Sequence, residues 1–129
     1  MATAIYKQVT GNQTTTSGSY VDIEGLLFKL PAASSDYNSA LVTLNVPEPY
    51  ATGGESNGIQ YQIDVDGSSQ IVGALTNQES QNGRSPFTMV TLIPLTGSQQ
   101  HVQAQWLGVR GTTAHLGSSA SLTGILVQT

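Results

Sequence analysis

Apolar and polar residues alternate along most of this chain, and the alternating runs are rich in Val, Ile, Thr and Tyr, the period and residue types of β-strands. The clearest run places Ile59, Tyr61, Ile63 and Val65 on one face and Gln60, Gln62, Asp64 and Asp66 on the other. Asp66-Gly67 then supplies the left-handed turn geometry for a hairpin into Gln70 to Leu75. Similar runs occur at Ser19 to Ile23, Leu26 to Leu30, Ala40 to Val46, Phe87 to Ile93, His101 to Val109 and Ser121 to Val127. Turn residues separate them, among them Asn57-Gly58, Asn82-Gly83 and Thr96-Gly97-Ser98. About eight short strands without a helical pattern predict an all-β fold, a sandwich or jelly roll in which two sheets close face to face. No internal repeat and no linker is visible. Thr14 to Ser19 is too short to divide domains and reads as a loop before Tyr20, so residues 1–129 are expected to form one domain.

Composition narrows the chemistry. Only 9% of the residues are charged, against roughly 25% in ordinary soluble proteins, so Ser, Thr, Gln, Asn and Gly must cover most of the surface. Such a surface suits neutral polyols, and it equally suits an assembly that hides part of its area. The net charge is −4 and the cations are Lys7, Lys29, Arg84 and Arg110, too few to track a phosphate backbone; nucleic acid is not expected as a partner. The chain has no cysteine, so neither disulfides nor a thiolate metal site can hold the fold. No apolar run approaches the length of a transmembrane helix, so membrane insertion is not expected. Met1 to Thr10 lacks the apolar region of a signal peptide, and export, if it occurs, would use another route or follow removal of a leader.

Several sites for chemistry can be weighed. Asp64-Val65-Asp66-Gly67-Ser68 begins like a calcium loop, but the twelfth position, where a bidentate Glu belongs, is Leu75; the segment reads as a turn. His101 and His115 have no third ligand at metal spacing and read as satisfied strand or loop residues. No G-x-S-x-G elbow is present. Asp22 with Glu24, or Asp64 with Asp66, could pair as glycosidase carboxylates, yet same-face neighbours on strands are common by chance. Asn12-Gln13-Thr14 fits the glycosylation pattern, which carries little weight without a signal peptide. The expectation is a protein that is not an enzyme and needs no metal or cofactor.

The two arginines are more informative. Both lie in polar, loop-like stretches, Asn82-Gly83-Arg84-Ser85-Pro86 and Gly108-Val109-Arg110-Gly111-Thr112-Thr113. A guanidinium offers five fixed donors and can grip adjacent sugar hydroxyls, so two arginines converging on one pocket would make a polyol clamp. Alternatively, each pairs with a carboxylate at a subunit contact.

Longer stretches carry a resemblance. Ser19-Tyr20-Val21-Asp22-Ile23 with Gly25-Leu26, Leu44-Asn45-Val46-Pro47 with Pro49-Tyr50-Ala51-Thr52-Gly53, and Gly83-Arg84 with Pro86-Phe87-Thr88 occur in order. Gln105-Trp106, Val109-Arg110-Gly111, His115 and Ala120-Ser121-Leu122 follow. In these the chain resembles the fucose-binding N-terminal domain of bacterial superlectins, a trimer with a tumour-necrosis-factor-like (TNF-like) jelly-roll β-sandwich. The resemblance implies a lectin that binds fucose or fucosylated oligosaccharides without calcium, in grooves between protomers of a homotrimer. Carried over by position, it implies that Tyr50, Thr76, Arg84 and Arg110 bind the ligand, with both arginines donating to ring hydroxyls. The chain departs from the family at Asn77, where an aromatic is expected, and at Gln60, where a tyrosine is expected. The loop from Asn77 to Asn82 is also shorter, and Gln81 and Asn82 stand where small hydroxyl residues contact the sugar. These amides could still hydrogen-bond a ligand while changing the hydroxyl pattern that fits. The rival expectation is a trimeric TNF-like protein-interaction or structural module without sugar binding, in which the arginines serve only the trimer contact.

Overall fold

The structure is a computed structural model and describes residues 3–53, 57–76 and 84–129. The strands are β1 (Ala4–Thr10), β2 (Thr14–Thr15), β3 (Val21–Leu30), β4 (Ser39–Val46), β5 (Tyr50–Thr52), β6 (Gly58–Val65), β7 (Ser68–Thr76), β8 (Phe87–Pro94), β9 (Gln100–Gly108), β10 (Thr113–His115) and β11 (Ser119–Val127). Two four-stranded antiparallel sheets, ordered β1-β11-β4-β8 and β3-β9-β6-β7, form the layers, and a small sheet, β2-β10-β5, joins them at one end. This is the TNF-like jelly-roll β-sandwich expected from the alternation and the resemblance. Among the described residues no helix is long and apolar enough to cross a membrane.

Alternation places the core. Ile59, Tyr61, Ile63 and Val65 are buried as predicted and meet Val42 and Leu44 of β4 and Leu122 of β11 in one cluster. Each such side chain contributes about 1.5–3 kcal/mol when fully buried, so two facing sheets suffice without disulfides. Tyr61 stacks on Phe87 with ring centroids 4.5 Å apart and lies 6.3 Å from Trp106. Its hydroxyl is buried with no hydrogen-bond partner among the described residues, and burial pushes its pKa up.

The Asp66-Gly67 hairpin forms as predicted, with φ of 50° and 89° at its two central residues. Other boundaries differ from expectation. The runs expected at Ser19 to Ile23 and Leu26 to Leu30 merge from Val21 onward into one strand, β3, whose register with β9 slips between Asp22 and Leu27. Gly58 opens β6 instead of turning, because it pairs with Thr76. Thr14 and Thr15 pair with β10 instead of lying in a loop. β1 escaped the sequence pattern because it is a sheet-edge strand with most of its residues exposed.

The outer face of the β1-β11-β4-β8 sheet is unusually apolar. Register aligns Ala4, Ile125, Leu41 and Leu92 in one row across all four strands, and Tyr6, Thr123, Thr43 and Val90 in the next. Leu92 and Val90 are 49% and 47% exposed, so this is an open hydrophobic surface rather than a rim of the core.

Candidate functional site

The small end sheet organises the richest side-chain cluster. In β5 and β10 the middle residues, Ala51 and Ala114, are buried, so the flanking residues Tyr50, Thr52, Thr113 and His115 project from the other face. Register sets His115 opposite Tyr50 and Thr113 opposite Thr52. The Tyr50 and His115 rings stack with centroids 4.1 Å apart and planes 9° from parallel. The Arg84 guanidinium carbon lies 4.1 Å from the Tyr50 centroid, a cation–π contact. Two groups so close to one ring overlap if they share a face, so guanidinium, phenol and imidazole form three successive layers.

Hydrogen bonds fix this stack. The Gly117 N–H donates to Asn12 Oδ1 at 3.0 Å, which turns the amide so that its Nδ2 donates to Tyr50 Oη at 3.2 Å. The same Nδ2 lies 3.5 Å from His115 Nδ1, and His115 Nε2 is 2.8 Å from Thr52 Oγ1. Burial, and then the charge of Arg84, hold the His115 pKa below the ordinary imidazole value. Gly117 is required here twice over: its φ is 86°, and a Cβ would run into the Glu48 backbone carbonyl. That close approach seats the β10–β11 turn against the segment entering β5.

Arg110 is placed by its backbone. Arg110 and Gly111 both have positive φ, 53° and 77°, as in a type I′ turn, and the Thr112 N–H closes the turn on the Val109 carbonyl at 3.1 Å. A left-handed arginine costs roughly 1 kcal/mol or more relative to the ordinary conformation. The turn is tied to β6, since the Val109 N–H donates to the Gly58 carbonyl at 3.0 Å and the Gly58 N–H to Thr112 Oγ1 at 3.3 Å. A Cβ on Gly108 would strike the Thr112 carbonyl, so only glycine lets the turn fold back so tightly.

The six residues expected from the resemblance therefore divide. Tyr50 and Arg84 touch. The Thr76 backbone pairs with Gly58, the same residue that anchors the Arg110 turn. Gln81 and Asn82 lie outside the described residues. Sequence reasoning weighed Asn12 only as a glycosylation match, gave Thr52 no role of its own, and read His115 as a satisfied strand or loop residue. A usable signal was the spacing of two in Tyr50-Ala51-Thr52 and Thr113-Ala114-His115, which puts each outer pair on one face; nothing local marks Asn12.

Three of the four carboxylates weighed above, Asp22, Asp64 and Asp66, are engaged in the scaffold. Asp64 Oδ2 accepts from the Gly67 N–H at 2.9 Å, and Asp66 Oδ1 accepts from the His101 N–H at 2.9 Å. Asp22 Oδ1 accepts from Gln105 Nε2 at 2.8 Å, whereas Glu24 is tied through its backbone, its N–H donating to Gln13 Oε1 at 3.1 Å and its carbonyl accepting from Gln13 Nε2 at 2.9 Å.

Residues 10–125 match the family described as Bc2l-C, N-terminal domain. The chain belongs to the Bc2l-C N-terminal domain family. The match covers both sheets and the end sheet except for most of β1 and the last two residues of β11. No curated protein matches the chain. Membership makes this a lectin-type, carbohydrate-binding domain, and the family is not an enzyme family.

Proposed function

We propose that residues 1–129 act as a calcium-independent lectin for fucose or fucosylated glycans, with sites between protomers of a homotrimer. The observation that carries this is the division of the candidate residues within one chain. Tyr50 and Arg84 form a half-site at one end of β5, whereas Arg110 and the Thr76 backbone cluster about Gly58. The two clusters lie beside opposite ends of β5, where a Cβ on Gly53 would come 3.7 Å from the Gly111 carbonyl oxygen, and meeting copies would bring the Tyr50 end of one against the Arg110 end of the next. The apolar rows of the β1-β11-β4-β8 sheet offer a packing face of the kind that monomers rarely leave open. Closed cyclic symmetry then repeats the groove around the axis.

Charged donors and a tyrosine hydroxyl suit vicinal sugar hydroxyls, and apolar surface beside them suits the sugar's methyl group. Calcium independence is part of this reading, and its check is binding in excess EDTA. Each site should be weak on its own, with trivalency raising avidity on a glycan-bearing surface roughly a hundredfold or more.

A glycan array with light scattering on the same sample tests this. The expected result is a mass three times the 13.5 kDa of one chain and selective retention on fucosylated glycans, unchanged by excess EDTA. A trimer without any sugar response would leave the protein-interaction or structural module. A monomer would remove the shared groove, and loss of binding in EDTA would remove calcium independence.

A further inference from the structure

The Tyr50 hydroxyl has a defined polarity. Because Gly117 holds the Asn12 carbonyl oxygen, Asn12 can only donate to Tyr50 Oη, so the hydrogen of Tyr50 is left to donate outward. The same amide faces His115 Nδ1, which must therefore act as acceptor, and the ring proton sits on Nε2, where it donates to Thr52 Oγ1. This network admits one form of the imidazole, the neutral Nε2–H tautomer. A proton on Nδ1 would set donor against donor at Asn12, two layers from the Arg84 guanidinium.

We propose that Asn12 and His115 are positioning residues of the sugar site, holding Tyr50 and through it Arg84 in the binding geometry, and that protonation of His115 releases this hold so that sugar is let go on acidification. The inference rests on the sugar-binding reading of Tyr50 and Arg84. Burial and the Arg84 charge keep His115 neutral through neutral pH and confine its protonation to the acidic side of the ordinary value of about 6.5. The groups that face it fit this behaviour. Tyr50 comes from β5 and Arg84 from the segment before β8, and β2 sets Thr14 opposite His115. Glu48, before β5, has its carboxylate engaged by Ser118 Oγ–H at 2.6 Å. His101, the other histidine, lies on β9 beside Asp66 and does not enter the stack.

The test is calorimetric titration with L-fucose at about pH 7.5 and about pH 5, the range in which a histidine changes charge, on the unaltered trimer, His115→Phe and Asn12→Ala. The unaltered protein should lose affinity about tenfold or more at the lower pH with its trimer mass unchanged. His115→Phe keeps an aromatic layer under Tyr50 but cannot titrate, so its affinity should be the same at both pH values. Asn12→Ala should weaken binding at both. Binding by the unaltered protein that ignores pH, an equal pH dependence in His115→Phe, or dissociation of the trimer at the lower pH would each overturn the positioning role while leaving the sugar site standing. No fucose binding at the higher pH would instead overturn the sugar reading itself, and this role with it.

Discussion

Arg84 is held from outside, by a tyrosine ring against its guanidinium and a histidine ring beyond that, whereas Arg110 is held from within, by its own left-handed φ and the hydrogen bonds of Val109 and Thr112. The first arrangement spends side chains from three separate segments, around Asn12, Tyr50 and His115, to orient one cation. The second needs only a tight turn closed by Gly111 and backed by Gly108. A side chain fixed by neighbours depends on their chemistry, including protonation; a turn fixed by its own backbone does not. The two halves of the site should thus fail in different ways.

The largest expected effect is on binding. Arg84→Ala and Arg110→Ala should each weaken fucose binding by roughly tenfold to a hundredfold or more, since a charged donor contributes about 1.5–3 kcal/mol. The comparison separates them in stability. Arg84→Ala removes the cation–π layer and should lower the unfolding free energy by about 0.5–1 kcal/mol, whereas Arg110→Ala should leave it unchanged. Paired calorimetric and denaturant measurements on the trimers read both; an assembly that falls apart in either variant would make that arginine an interface residue instead.

Arg110→Asn sharpens the contrast. Asparagine tolerates positive φ better than other side chains, so this variant should lose sugar binding yet match or exceed the parent's stability by up to about 1 kcal/mol. A loss of stability would mean that the Arg110 side chain supports the fold. The smallest effect lies outside both halves. Tyr61→Phe deletes a buried hydroxyl that has no partner among the described residues, and should stabilise the protein by up to about 1 kcal/mol with fucose affinity unchanged. A drop in stability on denaturant unfolding would show that the hydroxyl is satisfied.

Much of the architecture was legible in the chain because strand alternation is a local signal. Ile59 to Val65 declared its buried face and Asp66-Gly67 its turn, and both formed. What failed was what local pattern does not carry. β1 lies at a sheet edge with most of its residues exposed, and the pairings of Thr14 with His115 and Gly58 with Thr76 arise only when distant segments meet. Single residues of the candidate site, Tyr50, Arg84 and Arg110, were marked by resemblance, and the arginines also by loop context. The contacts around them were not, since that between Asn12 and His115 spans 103 residues of sequence.

The sequence by itself therefore determined an all-β chain poor in charge, a core built on period two, and two arginines set among small residues, because each follows from residue type and nearest neighbours. Only the tertiary structure decided that Arg84 would cap a Tyr50–His115 stack while Arg110 would stand in a strained turn beside Gly58. The physical reason is that strands of two or three residues, as in the end sheet β2-β10-β5, can set which side chains share a face but are too short to announce a sheet, whose pairings join segments far apart in the chain.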